Sequence, residues 1–311
     1  MEKMLTNKDL LGLQETSKED IELILDTADM MRHILDSPTK RTAHLAGKSV
    51  VLFFLENSTR TRLSFEMSCK YLSANSSNIS ASGSSIHKGE NLYDTVKTID
   101  VMATDLLVMR HNQSGAPHMI APLVDASVIN GGDGMNEHPT QALLDMMTIR
   151  EHKGQLDGLR VAIAGDALHS RVVRSNIWGL SKMGAEVRVA APPTMMPRHL
   201  DHMPCIVTYD VREACEDADV VMGLRVQLER QKSALFPSIR EYAHFFGIDE
   251  EVLACAKEDA IIMHPGPCNH GVEMPTSIHE HERSVIHEQV SNGVAVRMAV
   301  LYLLQARRNY Q

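Results

Sequence analysis

Apolar positions along this chain alternate between two textures, short unbroken runs and longer stretches in which every third or fourth residue is apolar. Ser17-Lys18-Glu19-Asp20 reads as an N-cap with an acidic first turn, and Ile21, Ile24, Leu25, Ala28 and Met31 follow at helical spacing. A helix is therefore predicted to residue 35. Residues 50–55, Val-Val-Leu-Phe-Phe-Leu, form a solid run of β-formers and predict a buried parallel strand. Helical texture returns over residues 63–72 and 91–102, strand texture over 106–109 and 127–130, and a further helix over 138–152. After Lys153-Gly154 and Asp157-Gly158, which mark a turn, strand-like runs recur at 160–164, 186–190, 219–222 and 260–263 with helix-like stretches between them.

Strands that alternate with helices predict parallel sheets covered on both faces. The expected fold class is α/β, two doubly wound parallel-sheet domains joined by interdomain helices. The first domain is predicted over 1–152 and the second over 153–291, with a closing helix in 292–311 packing back on the first. A length of 311 residues supports this division, because it is enough for two separate cores.

Composition changes the picture by exclusion. A formal charge of −9 argues against nucleic acid or an anionic membrane as partner, since both need a broad basic surface. The polar start, Met1-Glu2-Lys3-Met4-Leu5-Thr6, and the lack of a long apolar run predict a cytoplasmic protein with no membrane contact. Five cysteines, Cys69, Cys205, Cys215, Cys255 and Cys268, form no CxxC pair and read as reduced thiols that mostly fill the core.

Against the acidic background stands a set of cations at strand ends. Ser58-Thr59-Arg60-Thr61-Arg62 follows a strand and precedes a helix, so free N–H groups, hydroxyls and the fork of Arg60 converge on a place suited to phosphate. The same segment also reads as a hydroxyl-capped helix with exposed arginines. Arg110 directly follows a buried strand, at the sheet edge where open α/β folds bind ligands. After Gly131-Gly132-Asp133-Gly134, His138 and Gln141 lie one helical turn apart, and the imidazole could donate to a carbonyl oxygen that gains charge. A helix-capping histidine is the alternative.

In the second half, His169-Ser170-Arg171 follows the strand-end pair Gly165-Asp166, and Arg225-Val226-Gln227 follows another strand. Two arginines on separate loops suit a small dicarboxylate, one fork for each end, although interhelical salt bridges would use them too. His264-Pro265-Gly266-Pro267 leaves carbonyls at Pro265 and Gly266 available to an –NH2 group. His279-Glu280-His281-Glu282 reads as a solvated polar stretch, not a metal site, and no GxGxxG occurs, so neither metal nor nucleotide cofactor is expected.

Taken in order, Ser58-Thr59-Arg60-Thr61-Arg62, Arg110, His138-Pro139-Thr140-Gln141 and His169-Ser170-Arg171 resemble the aspartate/ornithine carbamoyltransferase family across nearly the whole chain. The Lys88-Gly89-Glu90 loop, Arg225-Val226-Gln227 with Glu229-Arg230, and the late His-Pro-x-Pro motif are closer to the aspartate branch. The resemblance implies transfer of the carbamoyl group of carbamoyl phosphate to the amine of L-aspartate, without metal or covalent intermediate. It implies a catalytic homotrimer with active sites between subunits, with regulatory chains or another enzyme of pyrimidine synthesis as further possible partners.

By motif position, Ser58, Thr59, Arg60 and Thr61 would bind phosphate, Arg110 and His138 the carbonyl, and Gln141, Pro265 and Gly266 the amide. Thr61 also joins Arg60, Arg110 and His138 as catalytic. Lys88, Arg171, Arg225 and Gln227 would hold aspartate, with Ser84 and Lys88 reaching in from the adjacent subunit. Two places depart from the family pattern: Asn57 stands where many relatives have Pro, and Cys268-Asn269-His270 where an Arg is common. The rival readings are a carbamoyltransferase for ornithine or another amine, a silent binding protein of the same fold, and a nucleotide-dependent dehydrogenase.

Overall fold

In the computed structural model, which describes residues 4–80, 89–198, 200–227 and 235–309, strands and helices alternate along the chain. The order begins α1 (Lys18–Asp36), β1 (Ser49–Phe54), α2 (Thr59–Tyr71), β2 (Asn75–Ser80), α3 (Leu92–Val101) and β3 (Leu106–His111). It continues α4 (Ala116–Ile120), β4 (Ser127–Asp133), α5 (Pro139–Lys153), β5 (Arg160–Gly165), α6 (Arg171–Lys182) and β6 (Glu186–Ala190). The rest is β7 (Ile206–Thr208), α7 (Val211–Cys215), β8 (Val220–Leu224), α8 (Ile239–Phe246), α9 (Glu250–Leu253), β9 (Ile261–Met263), α10 (Thr276–His279) and α11 (Ile286–Asn309).

Packing divides the chain into one unit of Met1–Leu143 with Ser291–Gln311 and a second of Leu144–Val290. The divisions fall inside α5 and α11, so two helices run from one unit into the other.

In the first unit four parallel strands lie in the order β2-β1-β3-β4. The inner strands are apolar because helices cover both faces, and Val51, Phe53, Leu107, Met109 and Val128 share a core with Val96, Ile99 and Ile120. β2, with the sequence Asn-Ser-Ser-Asn-Ile-Ser, lies at the sheet edge and carries no apolar pattern for sequence reasoning to find. Part of α11 is held here, with Arg297 Nη1 donating to Ser64 Oγ at 2.9 Å and Ser68 Oγ to the Val294 carbonyl at 3.1 Å.

The second unit contains five parallel strands in the order β7-β6-β5-β8-β9. Its core joins Ala162, Ala164, Val221 and Ile262 of the sheet to Val211, Val252, Leu253 and Ile278. β7 is again a short edge strand outside the predicted set.

Both sheets reverse strand order once, between β1 and β3 in the first and between β5 and β8 in the second. At such a point the connections leave the carboxyl ends in opposite directions, and ligands of open α/β sheets bind there.

Candidate active site

In the first unit the predicted phosphate segment starts at the carboxyl end of β1. The helix after it begins at Thr59, four residues earlier than the apolar spacing predicts, because Ser58 caps it: its hydroxyl accepts from the Thr61 N–H at 3.3 Å. Arg60, Thr61 and Arg62 therefore occupy the first turn, where unused N–H groups concentrate. Thr59 and Arg60 are exposed there, while Thr61 is buried with its hydroxyl 3.5 Å from His138 Nε2. Residues 77 apart in sequence thus share one corner.

Arg110 sits next to that corner on β3, paired with Phe54 of β1. It is 8% exposed, and its guanidinium is fixed from two sides by Glu56 Oε1 at 2.8 Å and the Gly131 carbonyl at 3.1 Å. A buried cation so held is preorganised for an anion. Gly131 packs closely here, since an added Cβ would lie 3.3 Å from the Met109 carbonyl.

The loop that delivers His138 is built on buried Asp133, whose carboxylate accepts from the N–H groups of Gly115 and Glu137 and from Asn130 Nδ2. Glu137 in turn accepts from the N–H groups of Leu13 and Gln14 at 2.8 and 3.2 Å. His138 and Gln141 are both buried at the start of α5, and the Gln141 N–H donates to the His138 carbonyl at 2.9 Å.

In the second unit β5 ends at Gly165, with φ of +140° and an added Cβ only 2.5 Å from the Leu224 carbonyl. This close approach brings Asp166 beside the end of β8. The Asp166 carboxylate, fully buried, accepts from His169 Nδ1 at 2.9 Å and from the Gln227 N–H at 3.2 Å. It thereby joins the loop bearing Arg171 to the loop bearing Arg225 and Gln227. Arg171 is buried at the first position of α6, and Arg225 and Gln227 are half-buried. β8 runs two residues beyond its predicted end, so Arg225 is the first residue after the strand.

The third loop of this edge carries Pro265 and Gly266. His264 Nδ1 accepts from the Gly266 N–H at 2.9 Å, which leaves the ring proton on Nε2, 3.5 Å from the buried Glu273 carboxylate. Glu273 also accepts from the Asn269 N–H and side-chain amide, and Asn269 donates onward to the Val226 carbonyl at 3.1 Å. Burial, the Glu273 charge and a hydrogen bond to it push the Cys268 thiol up to about 12. His264, Cys268 and Glu273 lie close enough to suggest a metal. The Cys268 thiol, kept protonated and hydrogen-bonded to Glu273, makes this a brace instead, with His264 Nε2 3.5 Å from the carboxylate and without a hydrogen-bond partner among the described residues.

Sequence reasoning misses these supporting acids, Glu56, Asp133, Asp166 and Glu273. The Gly165-Asp166 pair and the glycine run around Asp133 give some signal, whereas Glu56 acts through a contact 54 positions away and Glu273 lies in no recognisable pattern. Ser84 and Lys88, and the Glu229-Arg230 pair, lie outside the described residues. The cysteine reading holds in part, since Cys69 and Cys215 are buried while Cys205, Cys255 and Cys268 are half-exposed.

Residues 8–151 match the family domain described as "Aspartate/ornithine carbamoyltransferase, carbamoyl-P binding domain", and residues 157–304 the "Asp/Orn binding domain". The chain belongs to the aspartate/ornithine carbamoyltransferase family. Within that family it is 63% identical over 304 residues to the aspartate carbamoyltransferase catalytic subunit of Acetivibrio thermocellus, covering 98% of this chain and 97% of that one.

Two solved family structures are similar in fold. The aspartate transcarbamoylase of Trypanosoma cruzi, solved with N-(phosphonacetyl)-L-aspartic acid, gives a TM-score of 0.87 at 32% identity over 96% of both chains. The ornithine carbamoyltransferase of Pyrococcus furiosus gives the same TM-score, 0.87, at 29% identity over 98% of this chain and 99% of that one. Fold similarity therefore does not separate the two branches. The sequence identity to the A. thermocellus relative does, and it favours aspartate.

Proposed function

We propose that this chain catalyses transfer of the carbamoyl group from carbamoyl phosphate to the amine of L-aspartate, giving N-carbamoyl-L-aspartate and phosphate. The observation that carries the reading is a buried or capped cationic group at the switch point of each sheet, within a chain 63% identical to a named aspartate carbamoyltransferase catalytic subunit.

The neutral amine attacks the carbamoyl carbon, the new C–N bond forms, and negative charge gathers on the carbonyl oxygen. The bond between the carbamoyl carbon and the bridging phosphate oxygen then breaks, phosphate leaves with the electron pair, and the nitrogen gives up a proton. Thr61, Arg110 and His138 stabilise the carbonyl oxygen, while Ser58, Thr59, Arg60 and Thr61 receive the phosphate. The convergence of Thr61 and His138 and the fixed guanidinium of Arg110 support these roles. Gln141 and the carbonyls of Pro265 and Gly266 orient the –NH2 end. Arg171, Arg225 and Gln227 hold the aspartate carboxylates, a role supported by the Asp166 link between their loops. Ser84 and Lys88 complete the site from a neighbouring subunit.

The name "catalytic subunit" carried by the A. thermocellus relative supports assembly, and we infer a homotrimer able to join further chains. The product has the open-chain skeleton of a pyrimidine ring, which supports an early step of pyrimidine synthesis, and we infer a cytoplasmic enzyme. Among the described residues no helix is long and apolar enough to cross a membrane. The test supplies carbamoyl phosphate with aspartate or ornithine in turn, with light scattering on the same preparation. Carbamoylaspartate without citrulline, from a particle three times 34.6 kDa, is expected. Citrulline as the main product would overturn the substrate assignment, and a monomer mass would overturn the trimer.

A further inference from the structure

Asp145 is fully buried and takes no part in the mechanism above. One of its carboxylate oxygens accepts from Asn176 Nδ2 at 2.8 Å and the other from Gln289 Nε2 at 2.8 Å. The three residues come from α5, α6 and the first turn of α11, all within the second unit, and all are buried. At its other end the Gln289 amide accepts, through Oε1, from the His264 N–H at 2.9 Å. A line of directed hydrogen bonds therefore runs from a buried acid to the first residue of His264-Pro265-Gly266-Pro267.

Chemistry fixes the direction of that line. A carboxylate that accepts at both oxygens requires Gln289 to present its –NH2 to Asp145 and its oxygen to His264. Turned over, the amide would set oxygen against oxygen at one end and N–H against N–H at the other.

The strand explains why His264 needs this partner. The β8–β9 ladder ends with Met222 opposite Met263, so the His264 N–H lies past the last rung, and a buried backbone donor left unpaired is costly. Pro265 and Pro267 have no N–H, which makes His264 and Gly266 the two backbone donors of the segment. His264 N–H is tied to Gln289, and Gly266 N–H to His264 Nδ1 at 2.9 Å. The Gly266 N–H shares a rigid peptide plane with the Pro265 carbonyl. The bond to the ring thus aims that carbonyl, and the bond to Gln289 holds the residue that carries the ring.

We propose that Gln289, oriented by Asp145, is a positioning residue for the –NH2 end of carbamoyl phosphate. It acts through His264 on the Pro265 carbonyl and does not itself contact substrate. This role rests on the assignment of the Pro265 and Gly266 carbonyls to that –NH2 group. A substrate that loses one aimed acceptor keeps its phosphate contacts, so the effect falls on the amide end alone.

Titration calorimetry on the full-length protein tests the role with two probes. Phosphonoacetamide keeps the phosphoryl and –NH2 ends of carbamoyl phosphate, whereas inorganic phosphate has no –NH2. Gln289→Leu removes the amide, and Gln289→Asn is a milder second variant whose shorter chain cannot span Asp145 and His264; circular dichroism checks that each is folded. Both variants should bind phosphonoacetamide about 10-fold more weakly than the parent and phosphate equally well. Unchanged phosphonoacetamide affinity, or equal weakening of both probes as general loosening would give, would overturn the role of Gln289. A parent protein that binds phosphate but not phosphonoacetamide would instead overturn the carbamoyl phosphate reading, and this role with it.

Discussion

In the proposed mechanism charged side chains at strand ends do the binding, and carboxylates such as Asp166 hold them in place. Asp166 shows the pattern most clearly, since one fully buried carboxylate accepts hydrogen bonds from the His169 ring and from the Gln227 backbone N–H. Hydrogen bonds to a charged group contribute about 1.5–3 kcal/mol each, so a neutral replacement should loosen both loops without emptying the site. Asp166→Asn should raise the KM for aspartate about 10-fold and leave the KM for carbamoyl phosphate unchanged, as two-substrate kinetics would reveal. Equal KM values for aspartate in the variant and the parent would remove Asp166 from its positioning role. Residues with hydroxyl or cationic chemistry at strand ends, such as Thr61 and Arg225, could be read from sequence. Their supports could not, because Glu56 meets Arg110 from 54 positions away and no local pattern encodes that meeting.

Elements place these residues through their ends. Apolar runs revealed the buried strands, including the edges β4 and β9, but β2 and β7 are edge strands whose burial is too slight to impose a pattern. The start of α2 was misjudged for a related reason: spacing of apolar residues locates the buried face of a helix, whereas its first turn is set by a polar cap. Here the cap is Ser58, and the difference decides whether Arg60 belongs to a loop or to a helix N-terminus. The β5–β8 contact is tighter still. Gly165→Ala would force a side chain into a positive-φ position and against the Leu224 carbonyl, at 2.5 Å in the undistorted backbone. A loss of about 2 kcal/mol is expected from strain of this kind, measurable as a lower urea midpoint. An unchanged midpoint would mean that the strand ends can separate freely.

At the scale of the whole molecule, two parallel sheets each present a switch point, and each switch point carries cations on an otherwise acidic protein. Alternating textures were enough to foresee two doubly wound domains. In the proposed mechanism the two sheets do separate work, the first meeting phosphate and carbonyl charge and the second the dicarboxylate. The most direct measurement is full two-substrate kinetics of Arg60→Ala and Arg225→Ala beside the parent. Arg60→Ala should lower kcat by about 100-fold or more, and Arg225→Ala should raise the KM for aspartate by about 10-fold or more while sparing that for carbamoyl phosphate. Parent-like kcat for Arg60→Ala, or an undiminished response to aspartate in Arg225→Ala, would contradict the division of labour on which the mechanism rests.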